Sequence, residues 1–234
     1  MEKKPFNIAI DGPAGAGKST IAKTVARKLG FIYVDTGAMY RAIALYVLRL
    51  GIDKTDESAV SEAVKGAQIT IQYQGGAQQV LLNGENVSGL IRTEEVGNTA
   101  SAVSVYPAVR AHLLALQQGL AASADVLMDG RDIGTCILPN ADTKIFLTAS
   151  SRVRALRRYK ELTEKGVMCN LEEIEQDIIE RDARDMNREI APLKKAEDAV
   201  LLDSSEMTIP EVVQAIIDEA VAHGLPTDRI QEGD

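Results

Sequence analysis

Gly12-Pro13-Ala14-Gly15-Ala16-Gly17-Lys18-Ser19 spaces two glycines, a lysine and a hydroxyl as G-x-x-x-x-G-K-S. Glycines at that spacing let the backbone curl until successive N–H groups point at one oxyanion. A helix that starts at the lysine adds the partial positive charge of its N-terminus. Lys18 then reaches the outer phosphates of a nucleoside triphosphate, and Ser19 supplies a hydroxyl to a magnesium ion. The competing reading is a glycine-rich surface turn with a stray lysine. Context decides against it, because Phe6-Asn7-Ile8-Ala9-Ile10-Asp11 before the motif reads as a buried strand and Lys18 to Leu29 after it reads as a helix stopped by Gly30. Gly12, Pro13, Ala14, Gly15, Ala16, Gly17, Lys18, Ser19 and Thr20 are therefore the candidate ATP-binding stretch.

A phosphate loop alone leaves kinase, GTPase, ATPase motor and regulator open. The chain has no N-K-x-D sequence to read guanine, and 234 residues are few for a motor with its coupling elements. A second cluster narrows the choice. Asp129 ends the apolar run Val126-Leu127-Met128, and Gly130-Arg131-Asp132 follows at once. Acids at the carboxyl edge of a parallel sheet face the ligand crevice, where they hold magnesium directly or through water. Asp35 ends another apolar run, Phe31 to Val34, with a role in substrate or metal binding left open.

Phosphoryl transfer must also neutralise charge on three oxygens, for which the planar, bidentate donors of arginine are suited. Seven of the fourteen arginines lie from Arg152 to Arg188. Arg181, Asp185 and Arg188 are spaced to share one helix face. Arg154, Arg157 and Arg158 fall within about one turn of another helix. The alternative for this stretch is a solvated face of ion pairs with Glu161, Glu180 and Asp182. His112 and His223 are isolated, and His112 suits a satisfied helix position.

The elements that must position these groups open as β-α-β-α, the start of a parallel sheet with crossover helices. Residues 53–104 break the pattern. Alternating segments at Gln68 to Tyr73 and Gln79 to Leu82, the Gly75-Gly76 pair and the turn dipeptide Asn83-Gly84 predict a small α+β insertion. A helix over Tyr106 to Ala122 follows, then strands at Val126 to Asp129 and Lys144 to Leu147. Charged helices are expected at Ser151 to Lys165 and Leu171 to Arg188, a fifth strand at Ala199 to Asp203 and a last helix from Ile209 to Ala222. The division predicted is an α/β core at 1–52 and 105–225 with a lid at about 150–168, an insertion at 53–104, and a polar, flexible tail at 226–234.

Composition sets the outer limits. A hydrophobic share of 45% allows a sizeable core, and a net charge of −8 argues against a general nucleic-acid binder. There is no membrane-length apolar run and no signal peptide, so the expected setting is cytoplasmic. Cys136 and Cys169 are expected as buried or half-buried thiols.

Taken together these residues resemble bacterial-type cytidylate kinase. The resemblance rests on Ile10-Asp11-Gly12-Pro13 with the loop that follows; Asp35-Thr36-Gly37-Ala38-Met39-Tyr40-Arg41; Ile91-Arg92-Thr93-Glu94-Glu95-Val96; Asp129-Gly130-Arg131-Asp132-Ile133-Gly134-Thr135; and Arg181-Asp182-Ala183-Arg184-Asp185-Met186-Asn187-Arg188 followed by Ala191-Pro192-Leu193. It runs from about Asn7 to Ala222, and the second and fourth stretches are the most specific. It implies a three-layer P-loop NTPase fold with a five-stranded parallel sheet, an inserted monophosphate-binding domain and a helical lid. It implies ATP and Mg²⁺, with CMP or dCMP as acceptor; the expected form is a monomer, since a small kinase with its own lid can work as one. By motif match Ser101, Arg110 and Asp132 would meet cytosine, and Arg181 and Asp185 the sugar. Thr36, Tyr40, Arg41, Arg131 and Arg188 would surround the acceptor phosphate. Lys18 and lid arginines such as Arg158 would stabilise the transferring group, with Ser19 and Asp129 at the metal. The chain departs from the family at Ala14, where serine is common, and Thr36 also replaces a frequent serine but keeps the hydroxyl. A regulatory or assembly protein that uses the loop as a switch is the other function class, and it leaves the Gly-Arg-Asp stretch without a purpose.

Overall fold

The computed structural model describes residues 4–231. In chain order the elements are β1 (Asn7–Asp11), α1 (Lys18–Leu29), β2 (Ile32–Asp35), α2 (Thr36–Arg49), α3 (Glu57–Ala63), β3 (Ile69–Gln74), β4 (Ala77–Leu82), β5 (Glu85–Asn86), α4 (Glu94–Val103), α5 (Pro107–Ser123), β6 (Val126–Gly130), β7 (Thr143–Thr148), α6 (Ser151–Glu164), α7 (Leu171–Asn187), β8 (Val200–Asp203) and α8 (Ile209–Ala222). A π-helical turn, Ile133–Ile137, lies between β6 and β7.

Five strands form a parallel sheet in the order β2-β6-β1-β7-β8. Ile8, Ala9 and Ile10 are all fully buried, which is why β1 reads as a continuous apolar run rather than an alternating one. One sheet face, carrying Ile8, Ile10, Leu127, Ile145 and Leu147, packs on α1 and α8. α1 presents Ile21, Ala22, Val25, Ala26 and Leu29 to it, the spacing of one helical face. α8 starts with a capping box, Thr208 with Glu211, and buries Val212, Val213, Ile216, Ile217 and Ala220.

The chain divides into two compact units, residues 1–33 with 124–234, and residues 34–123. The second unit contains the 53–104 stretch and also α2 and α5. Its sheet is the antiparallel β3-β4-β5, with Ile69 opposite Leu82 and Gln74 opposite Ala77. Asn83 and Gly84 both take positive φ, 50° and 84°, the left-handed turn that joins β4 to β5.

Two local expectations change. The segment after α8 is held down: Leu225 is buried, Arg229 pairs with Asp125 and lies over the Phe31 ring, and the Gln231 amide donates to the Lys28 carbonyl. Its few apolar residues were masked in the sequence by polar neighbours; residues 232–234 of the expected flexible tail lie outside the described residues. Cys136 is exposed rather than buried, because it stands on the side of the π-helical turn away from buried Ile133 and Ile137, while Cys169 is half-buried as expected.

Candidate active site

The cradle follows β1, which lies between β6 and β7 in the sheet. Gly12 has φ +153°, and a Cβ there would stand 1.9 Å from the Leu147 carbonyl oxygen, so only glycine lets the loop pass β7. Gly15 and Gly17 are also at positive φ. Lys18 is buried, and its Nζ donates to the carbonyls of Gly12 and Pro13 at 2.7 Å each. Burial first, then the positive charge of Arg131, holds Lys18 well below the ordinary lysine value. Its charge is thus destabilised where a phosphate would restore it. Arg154, also buried, donates through Nη1 to the Ala14 carbonyl and pairs with Asp182 at 2.6 Å, tying the cradle to α6 and α7.

The register sets Ile10 beside Asp129 and Asp11 beside Gly130, so the end of β6 flanks the start of the cradle. There the Ser19 hydroxyl donates to Asp129 Oδ2 at 3.0 Å, and the Tyr33 hydroxyl donates to Asp129 Oδ1 at 2.9 Å. Beyond Asp129 the turn and α7 exchange charges. Arg131 Nε donates to Asp185 Oδ2 at 3.0 Å, and Asp132 faces Arg188 at 3.8 Å. Asp132 and Asp185 are both buried. α7 ends at Asn187, so Arg188 is just past the helix in an extended conformation rather than on its face, and its Nε donates to the Ala191 carbonyl. Ala191, just before Pro192, takes a positive φ of 48°. Arg181 is half-buried on α7, one turn before Asp185.

The unit of residues 34–123 carries its own set. Asp35 accepts from the Ala38 amide as the cap of α2 and pairs with Arg92 at 2.9 Å, while Gln78 of β4 bonds both its amide and its carbonyl. These bonds tie Asp35 to the start of α2, to Arg92 and to β4. Thr36 is buried in the first turn of α2, where helix amides favour an anion. Arg110 of α5 lies over the Tyr40 ring at 6.0 Å. Arg41 donates to the Ile91 carbonyl, and Ser101 is half-buried on α4. His112 bonds the Ala67 carbonyl, a satisfied helix histidine as expected.

This arrangement has relatives. The family model described as cytidylate kinase matches residues 8–222. A cytidylate kinase of Caldicellulosiruptor saccharolyticus is 50% identical over 92% of this chain and 95% of that protein. One from Desulfitobacterium hafniense is 48% identical over 99% of this chain and 97% of that protein. The chain belongs to the cytidylate kinase family. It is accordingly a nucleoside monophosphate kinase, an enzyme that phosphorylates a nucleoside monophosphate. An uncharacterized protein from Eubacterium ventriosum, 10% identical over 93% of this chain and 99% of that one, shares the fold with a TM-score of 0.53.

Within a cytidylate kinase framework several placements could not be read from sequence. Arg158 is half-exposed and pairs with Glu161 at 3.0 Å, three residues on. Of the α6 arginines Arg154 bonds the Ala14 carbonyl of the cradle, and Arg157 is held by Ser204 of the segment after β8. Helical spacing put all three within one turn but carried no sign of which would face inward. Asp11 and Tyr33 were passed over because their partners, the turn after β6 and Asp129, are distant in sequence. The Ser19 hydroxyl and the Asp129 carboxylate form a hard-oxygen pair beside the cradle, a donor set that fits Mg²⁺ with phosphate and water completing its shell. No helix among the described residues is long and apolar enough to cross a membrane.

Proposed function

We propose that this enzyme transfers the γ-phosphate of ATP to CMP and dCMP, giving CDP and dCDP, as a cytoplasmic monomer. The observation that carries the acceptor reading is the crossed pairing of Arg131 with Asp185 and of Asp132 with Arg188. It gathers two acids and two arginines next to the cradle, groups matched to a base, a sugar and a phosphate in one ligand. The assignment is Ser101, Arg110 and Asp132 to cytosine, and Arg181 and Asp185 to the sugar. Thr36, Tyr40, Arg41, Arg131 and Arg188 take the acceptor phosphate. Residues 53–104 serve as the monophosphate-binding insertion and residues 150–168 as the lid.

In the transfer, Gly12 to Thr20 hold the donor phosphates, chiefly through backbone amides. Lys18 gains its full charge against the polyanion, since an opposite charge favours the protonated amine. An oxygen of the acceptor phosphate forms the new bond to the γ-phosphorus, in line with the bridging bond to ADP, which breaks with its electrons going to ADP. Arg131, Arg188 and lid arginines such as Arg158 spread the developing charge. The acceptor phosphate is already largely ionised near neutral pH, so no side-chain base is needed. Ser19 and Asp129 would hold Mg²⁺, which when bound neutralises charge on the β- and γ-phosphates. Closure of the lid keeps water from taking the phosphate.

The test follows ADP formation from ATP and Mg²⁺ with CMP, dCMP, UMP, AMP or GMP, and with no acceptor. Turnover with CMP and dCMP and none without acceptor is expected. ADP release in the absence of acceptor, or silence with CMP despite ATP binding, would overturn the reading.

A further inference from the structure

Arg131 and Asp132 direct their side chains at Asp185 of α7 and at Arg188 just past it, so something else must hold the turn that carries them. That group is Asp11. It is the last residue of β1 and is buried, and its Oδ1 accepts from the Ile133 amide at 2.7 Å while Oδ2 accepts from the Gly134 amide at 2.8 Å. These amides open the π-helical turn, whose own backbone bonds begin only later, with Cys136 and Ile137 donating to the Asp132 carbonyl. The first amides of such a turn need an outside acceptor, and a carboxylate serves two at once. The other side of the turn is closed as well: a Cβ at Gly134 would stand 3.2 Å from Lys144 Cδ and 3.4 Å from Asp11 Oδ2. One peptide bond after Asp11 lies Gly12, where the phosphate cradle begins.

We propose that Asp11 is a positioning residue for phosphoryl transfer, its carboxylate fixing Arg131 and Asp132 in register with the donor cradle. The inference rests on the reading of those two residues as acceptor contacts. A buried carboxylate is a costly way to satisfy two amides. Burial pushes Asp11 up to about 6 even though both amides pull it down. What a carboxylate supplies and a neutral side chain does not is two acceptors held in one plane, which fixes the orientation of the turn as well as its hydrogen bonding. Asparagine in its place would offer one acceptor and set an NH₂ group against the second amide.

The test compares the wild type with Asp11→Asn and Gly134→Ala for ATP affinity by titration, kcat and KM for CMP, and melting temperature. Asp11→Asn is expected to bind ATP within about 3-fold of wild type, as for a change outside the binding contacts. Its kcat/KM for CMP should fall about 100-fold, the loss that misplacing a reacting group by about 1 Å brings. Asp132→Ala should then cost less in the Asp11→Asn background than alone, because both act through one turn. Gly134→Ala, which presses on the same turn and leaves Asp11 in place, should lower the same parameter and spare ATP affinity, and it carries the test if Asp11→Asn does not fold. Parallel losses of ATP and CMP affinity, a lowered melting temperature with unchanged turnover, or multiplicative effects with Asp132→Ala would each overturn the inference. A failed acceptor reading shows separately, as absence of CMP turnover by the wild type.

Discussion

The cradle after β1 and the turn after β6 sit at the ends of neighbouring strands but are built of different material. The cradle is mostly backbone: glycines shape it, and the carbonyls of Gly12, Pro13 and Ala14 bind Lys18 and Arg154. The turn works through side chains, Arg131 and Asp132, each matched to a charge on or just after α7. A backbone site recognises what all nucleoside triphosphates share and is insensitive to most side-chain changes. A side-chain site can discriminate among acceptors, and each replaced group removes a specific contact.

The largest effect is expected at Gly12. Gly12→Ala forces a Cβ into the Leu147 carbonyl, so ATP binding should be lost and the unfolding midpoint should drop, at a cost of about 3 kcal/mol or more in denaturant titrations. On the turn side, Arg188→Ala should reduce kcat for CMP by about 10²–10³, the range for removing one donor to developing charge. Its removal also takes the facing arginine from the buried Asp132, so the unfolding midpoint should fall too, and the distinction from Gly12→Ala lies in ATP binding, which should be kept. The junction of the two regions, Asp11, should show in the pH dependence of folding. Its value rises from 3.8 to about 6 on folding, so the folded state binds the extra proton between those limits. The stabilisation from this group is present below about pH 4 and is lost as pH rises through 6. Replacing it with Asn should remove ~3 kcal/mol of that decline, measured as the difference in unfolding free energy between pH 4 and 7. Least affected should be Ala14→Ser, which adds a hydroxyl to a loop that binds through its backbone; ATP affinity should stay within about 2-fold.

Much of this was legible in the sequence because local signals agreed. The G-x-x-x-x-G-K-S spacing lay between a strand pattern and a helix pattern, and both are present as β1 and α1. α8 runs from Ile209 to Ala222 as expected, since Thr208 and Glu211 announce its start and apolar residues repeat at helical spacing. Asn83-Gly84 marked its turn by the positive φ that these residue types tolerate. What was not legible depends on long-range pairing. The π-helical turn at Ile133–Ile137 has no periodicity of its own and is held by Asp11, more than a hundred residues earlier. The choice of Arg154 over Arg158 at the cradle is made by Ala14 and Asp182, neither of which lies on the same helix. The partners of the Asp35 carboxylate, the Ala38 amide and Arg92, could not be read from its place at a strand end, since Arg92 is distant in sequence.

The most direct measurement is calorimetric titration of wild type and Asp132→Ala with CMP and, separately, with a non-hydrolysable ATP analogue and Mg²⁺. Losing the buried Asp132 contact should weaken CMP binding by about 1–3 kcal/mol and leave the ATP analogue unchanged. Equal weakening of both ligands would contradict the account, because it would mean that the backbone cradle and the side-chain turn do not read different substrates.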